Sequence, residues 1–445
     1  MTPRPPAGTP RAYRFPDFTH HRLDNGLGVW LVPLPERELV TVQLLTDAGA
    51  GAEDEPQGGI AALTARALVT GTGRLDAAAF AEAAEALGID VHSESNWDSA
   101  RAGFSALGRH LEAGLELLAE MVRTPRFDPG EFERLRSERL NDILQSRADP
   151  ARLADESFLR HVYTEGVPYG RPSAGTPETV EGLEVSDARG YHASRYAPDV
   201  AAIVVAGGFE PADALRLVEA TFGGWAGHGH GHRAIAPTAR DGRRLVLVDR
   251  PGSVQSELRV GHVGIDRADP RYFPALVLAA LLGGVFRSRL NVRLREELGY
   301  TYGARASFEP RRAAGPFTAS SAVQTEVTVD AVRELLAQLD RIRDGAPADD
   351  ELREVRDFLV GVFPLRFETT AGIAAAIEPL AVYDLPEDWW HTYRGSLEAV
   401  GPEDVLATAR ELIRPDELLV LVTGDAARIG DDLAAAGFGT VEMAS

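Results

Sequence analysis

Cysteine is absent from all 445 residues. That excludes disulfides, thiolate metal sites and a cysteine nucleophile, and it suits a reducing cytoplasm. Long apolar runs are missing as well. The most apolar stretch, residues 273–282 (FPALVLAALL), falls far short of the roughly 20 residues a helix needs to cross a bilayer. Residues 1–17 hold proline and arginine but no apolar segment, so they do not predict a signal peptide. Positive charge is scarce: 46 Lys and Arg stand against 67 Asp and Glu, a formal net charge of −21. Nucleic acid and anionic lipid, which need basic surface, are poor partners. A soluble, cytoplasmic protein with neither nucleic-acid nor membrane partner is expected.

What is present begins with a repeat. Tyr196-Ala-Pro-Asp199 runs into the apolar segment 202–206 and Gly207, and Ile413-Arg-Pro-Asp416 runs through 418–422 to Gly424. Proline and glycine are nine residues apart in both (198 to 207, 415 to 424), and the copies are 217 positions apart (198 to 415). Segments 29–32 and 245–248, and 40–45 and 258–263, follow at about the same offset. Self-similarity at one long period predicts a duplicated domain of roughly 220 residues. The boundaries expected are a flexible segment over 1–17, a first domain over 18–226, a linker over 227–241 and a second domain over 242–445.

The linker reading comes from Gly227-His-Gly-His-Gly-His-Arg-Ala-Ile-Ala-Pro237, rich in glycine and without periodicity. His228, His230 and His232 could invite a metal, but alternating glycines build no rigid cage. Within each copy, strand patterns precede helical ones. Residues 76–87 are alanine-dense behind an N-cap aspartate and stop at Gly88. Residues 328–343 place Val329, Val332, Leu335, Leu336 and Leu339 at helical spacing. The fold class is therefore α+β: two homologous two-layer α/β sandwich domains.

The first copy reads Leu23-Asp-Asn-Gly-Leu27, two strands, Ala48-Gly-Ala-Gly51, Glu53-Asp-Glu-Pro-Gln-Gly58, and then a helix from Gly59 to Gly71-Thr72. Leu87-Gly88, Asp98, Pro125 and Phe127, Asp149-Pro150, Tyr196 and Pro198 continue the series. In this order the motifs resemble the insulinase/pitrilysin/mitochondrial-processing-peptidase superfamily over about 420 residues, nearly the whole chain. The resemblance implies one half of a clam-shell chamber and a helix carrying the inverted zinc motif His-x-x-Glu-His ahead of the Gly-Thr pair. That chemistry needs two imidazoles four residues apart, a glutamate base and a later carboxylate. Counted from Gly71-Thr72, the histidine positions fall on Ala62 and Arg66 and the base on Ala65; judged from Asp149-Pro150, the later carboxylate falls near Asp142. Alanine has no lone pair and arginine keeps its proton. The residues read as a packing face (Ala61, Ala62, Ala65, Leu68, Val69). Arg66 and Asp142 either pair where the metal would be or face solvent separately.

The second copy holds Leu282-Gly-Gly-Val-Phe-Arg-Ser-Arg-Leu290 and Leu294-Arg-Glu-Glu-Leu-Gly-Tyr-Thr-Tyr-Gly303. This is similar to the superfamily stretch whose arginine and tyrosine, seven apart, reach the substrate beside the zinc. The resemblance puts them at Arg295 and Tyr302, with Arg293 and Tyr300 at the same spacing. The long glycine-rich loop of a presequence-recognising subunit is reduced to Gly283-Gly284. The local pattern also fits a helix over 293–298 stopped by Gly299.

Together these features imply a non-catalytic subunit, inactive alone, without a cofactor of its own. Zinc is expected in a homologous partner with intact His-x-x-Glu-His, and short unfolded peptides are the expected substrates. Whether the pair degrades peptides or matures a precursor stays open, as does its composition. The alternative is a protease-independent peptide-binding or structural scaffold of the same fold. A further alternative, zinc on His228, His230 and His232, predicts metal in the isolated chain.

Overall fold

The computed structural model describes residues 11–238, 240 and 242–444. Residues 1–10 of the N-terminal segment, 239 and 241 of the expected linker, and 445 lie outside the described residues. In the first half, β1 (Thr19–Arg22), β2 (Gly28–Pro33), β3 (Leu39–Thr46), β4 (Asp90–Ser95), β5 (Ala100–Leu107) and β6 (Ala201–Gly207) form a sheet ordered β1-β2-β6-β3-β5-β4. In the second half, β7 (Arg244–Asp249), β8 (Gln255–Val263), β9 (Ala304–Phe308), β10 (Pro316–Gln324), β11 (Leu419–Gly424) and β12 (Thr440–Ala444) form a second, ordered β12-β7-β11-β8-β10-β9. From β2 or β7 outward the orders coincide. The remaining edge differs: β1 lies antiparallel to β2, whereas β12 lies parallel to β7. The repeated proline opens a short 3-10 turn before β6 and before β11.

The central strands are buried on both faces, and their alternate residues enter different cores. In β2, Val29 and Leu31 join the first half's own helices, while Trp30 and Val32 join a cluster with Ile373, Ala374 and Ile377. Those three lie on the helix Thr370–Tyr383, which packs across β3 and β6. The second sheet receives the reciprocal cover. Val246, Val248, Leu419 and Leu421 meet Ala154, Phe158 and Val162, which lie on the first half's helix Pro150–Val162. Each two-layer sandwich thus gains a third layer from the other half. Period-two alternation cannot show this, because it says a face is covered and not by what.

Polar groups fix the same junction. Asp98 accepts hydrogen bonds from the Tyr169 hydroxyl, the Arg312 backbone N–H (2.9 Å) and the Tyr383 hydroxyl (3.1 Å). Arg312 also donates to Asp47 Oδ1 at 2.7 Å. Thr41 and Thr370 share a buried hydroxyl contact at 2.8 Å.

Described residues in both segments expected to be flexible make specific contacts. Phe15 is 1% exposed and packs against Phe367 and Trp390, while Tyr13 stacks on Phe367. Aromatic burial outweighs the proline-rich character around them. In the connector, Asp199 accepts from the Gly229 N–H and contacts the His228 ring, and Arg195 donates to the carbonyls of His230 and Gly231. The helix expected over 76–87 is present as Ala77–Ala86, its Asp76 side chain accepting from the Ala79 N–H. Thr328–Asp344 likewise fulfils the expected helix. No single helix among the described residues is long and apolar enough to cross a membrane.

This exchange of helices predicts that residues 18–226 and 242–445 do not fold when made separately but form the native structure when co-expressed. Circular dichroism and thermal melting check it. A cooperative melt from either half alone would contradict it.

Candidate functional site

The helix expected from Gly59 to Thr72 is shorter, Ile60–Leu68. Gly59 begins it in the left-handed region, and an added Cβ there would meet the Ala174 carbonyl at 3.0 Å, so glycine fits. Thr72 instead makes a bridge to Pro125. Glu53, 3% exposed, replaces the missing side-chain cap. Its carboxylate accepts from the Ala61 N–H at 2.7 Å and from the Gly59 N–H at 3.1 Å. Burial pushes this carboxyl up to about 7, against the pull of those N–H groups and of Arg171. Its position just before the helix is the sequence signal that was available, although the zinc-motif comparison did not single it out.

Ala61, Ala65 and Leu68 are buried, and Ala62 and Val69 are half-buried. The base position is thus a methyl group inside the core. Arg66 is the outward member of the motif. It reaches the helix Pro129–Ala148, where Nη1 donates to Asp142 Oδ2 at 3.4 Å and Nη2 to Glu138 Oε2 at 3.2 Å. The structure therefore brings Arg66 and Asp142 together and adds Glu138, one helical turn earlier. Sequence counting located Asp142 but not Glu138, although i and i+4 carboxylates share a helix face.

The zinc fit fails on donor chemistry. Two imidazoles are replaced by a methyl group and a guanidinium, and the guanidinium itself occupies the carboxylates. No group of three or more His, Asp or Glu among the described residues could hold a metal, and the connector histidines form none.

The second candidate set lies on the other sheet's half. Residues Asn291–Glu297 form a π-helix, where an ordinary helix over 293–298 was expected, and Gly299 turns the chain at φ 67°. Asn291 ties this segment to β9 by accepting from the Ala304 N–H (2.9 Å) and donating to its carbonyl (3.0 Å). Tyr302, on the turn between, is 96% exposed. Arg295 donates to the Phe286 carbonyl at 3.0 Å, and its guanidinium lies 3.8 Å from the Phe286 ring centre. In the other register, Arg293 forks onto Glu334 at 2.8 Å and Tyr300 packs against the second core. Both of those side chains have structural employment. Among the described residues no hydrogen bond joins Arg295 to Tyr302, or either of them to the Arg66 cluster.

Family models match residues 29–175 as insulinase (peptidase family M16) and residues 182–359 as the peptidase M16 inactive domain. The chain belongs to the insulinase superfamily. It is similar to an uncharacterized zinc protease of Mycobacterium tuberculosis, 25% identical over 88% of this chain and 90% of that protein. It is also similar to the uncharacterized zinc protease YmxG of Bacillus subtilis, 24% identical over 90% and 96% respectively. The non-peptidase homolog YmxG of Helicobacter pylori is 23% identical over 74% and 76%. Among solved structures, a peptidase M16 inactive domain from Pseudomonas fluorescens shares this fold at TM-score 0.84, with 24% identity over 92% of this chain and 98% of its own. Within this superfamily the chain is an M16 homologue that has lost its own zinc motif.

Two predictions follow from the helix and its cap. Replacing Ala62→His and Arg66→His together restores two imidazoles beside Asp142 and should create a zinc site, detected by calorimetric titration; a silent titration would refute the assignment of these positions. The second concerns Glu53. Its folded value of about 7 lies above the ordinary 4.5, so the folded state holds the proton more tightly and stability falls as pH rises from about 4.5 to 7. The urea-unfolding free energy of the native chain, relative to Glu53→Gln, should decline over that window. A difference independent of pH would contradict it.

Proposed function

We propose that this chain is the non-catalytic subunit of a two-chain zinc peptidase, forming half of a chamber for short unfolded peptides. One observation carries the reading. The zinc-motif helix is committed to packing and to the Arg66 ion pairs, while Tyr302 stays open to solvent and Arg295 engages its neighbours through Nη2 alone. A group without metal ligands but with available substrate donors complements a homologous subunit carrying intact His-x-x-Glu-His. That subunit would supply the metal chemistry.

In this scheme the guanidinium of Arg295 presents its remaining donors to a peptide carbonyl. The Tyr302 hydroxyl donates to the oxygen that gains charge as the peptide bond is attacked. The absence of cysteine suits a cytoplasmic setting for the pair.

A second reading, a scaffold without protease activity, is favoured by the Helicobacter pylori relative named a non-peptidase homolog. The two separate in one experiment: co-expression with the zinc-motif homologue from the same genome, followed by peptide hydrolysis. The pair should cleave an unfolded peptide and this chain alone should not, even with added zinc. Tyr302→Phe should lower the pair's kcat by about 10²-fold, as loss of one such donor does. No complex, or a complex that does not cleave, supports the scaffold instead; a cleaving complex indifferent to Tyr302→Phe removes the role given to Tyr302.

A further inference from the structure

Phe286 is a large apolar side chain left 74% exposed, so burial does not explain its place. The loop that carries it is firmly held. It follows the π-helix Ala280–Gly284, whose Gly283 lies so close to β9 that an added Cβ would stand 2.2 Å from the Ala306 nitrogen. Asn291 then donates to the Val285 carbonyl at 3.2 Å and to the Ser288 hydroxyl at 3.0 Å, fixing both sides of Phe286.

Over this platform lies Arg295. Its Cζ is 3.8 Å from the Phe286 ring centre, and Nη2 donates to the Phe286 carbonyl and to Glu296 Oε1, both at 3.0 Å. A guanidinium over an aromatic face gains from the ring quadrupole and gives up much of its rotamer freedom. The side chain is accordingly only 20% exposed. Two anchors at one end, both on Nη2, leave Nε and Nη1 without an acceptor among the described residues.

We infer that Phe286 is a positioning residue: its exposed ring locks the Arg295 guanidinium so that the unused Nη1–H donors are held in one fixed orientation for an extended peptide's carbonyl. The inference rests on the reading of Arg295 as a substrate-binding group. Because the backbone carbonyl contact survives removal of the ring, the stack alone is what Phe286→Ala deletes. Phe286→Trp keeps the stack and strengthens it.

The test has two independent readouts on the full-length chain. In arginine-labelled protein, the Nε–H resonance of Arg295, assigned with Arg295→Lys, should be displaced by the ring current. It should return to the solvent-arginine position in Phe286→Ala and remain displaced in Phe286→Trp, with melting temperatures unchanged because the ring is exposed. In the reconstituted pair, Phe286→Ala should raise KM for an unfolded peptide about 2- to 5-fold with kcat little altered, the range expected for an exposed cation–π contact. Phe286→Trp should restore KM. An Arg295 resonance indifferent to Phe286→Ala overturns the positioning role. A resonance that moves while Arg295→Ala leaves hydrolysis unchanged instead overturns the substrate-binding reading of Arg295.

Discussion

The constraint on which the structure depends is that both sheets are apolar on two faces while each half supplies helices mainly for one. Trp30, Val32, Val204 and Ala206 would be exposed without the helix Thr370–Tyr383, and Val246, Val248, Leu419 and Leu421 without the helix Pro150–Val162. At about 25 cal/mol per Å² of apolar surface, four such side chains on each sheet represent several kcal/mol of stabilisation. That is a large fraction of the usual margin for a domain. The halves are therefore bound by their cores, and Asp98 with its three donors fixes their relative placement. A duplicated chain built this way holds its two candidate sites in a set relation.

Within that frame, the helix Ile60–Leu68 holds its place in the core without metal chemistry. The helix Ile60–Leu68 keeps its buried face through Ala61, Ala65 and Leu68 and its start through Glu53. Ala62 and Ala65 put methyl groups at two of the motif positions, and at the third Arg66 brings its own positive charge to Glu138 and Asp142. An exposed ion pair of this kind contributes about 0–1 kcal/mol. Its significance is chemical: carboxylates facing a guanidinium do not face each other unpaired, and no open lone pair converges on a metal position. The helix has become a structural element.

Much of this was legible in the sequence. The Pro-to-Gly repeat at 198–207 and 415–424 anticipates β6 and β11, and of the two arrangements left open for Arg66 and Asp142 the structure has the pair in contact. What was not legible depends on tertiary context. Burial of Phe15 needs Phe367 and Trp390, more than 350 positions away, and composition around it pointed to flexibility. The connector's glycines read as loose because its acceptors and donors, Asp199 and Arg195, lie on another element. The placement at Arg295 and Tyr302 came from the resemblance, because spacing alone fits Arg293 and Tyr300 equally. Glu334 and the second core engage the latter pair and leave Tyr302 outside.

The central claim is that this chain keeps the insulinase-type fold while its own helix cannot coordinate zinc. The most direct measurement is the metal content of the purified full-length chain, expressed in zinc-supplemented medium and dialysed, read by plasma mass spectrometry. The account predicts zinc far below one ion per chain and no difference between the native protein and Asp142→Ala. One tightly held zinc per chain, lost in Asp142→Ala, would contradict it.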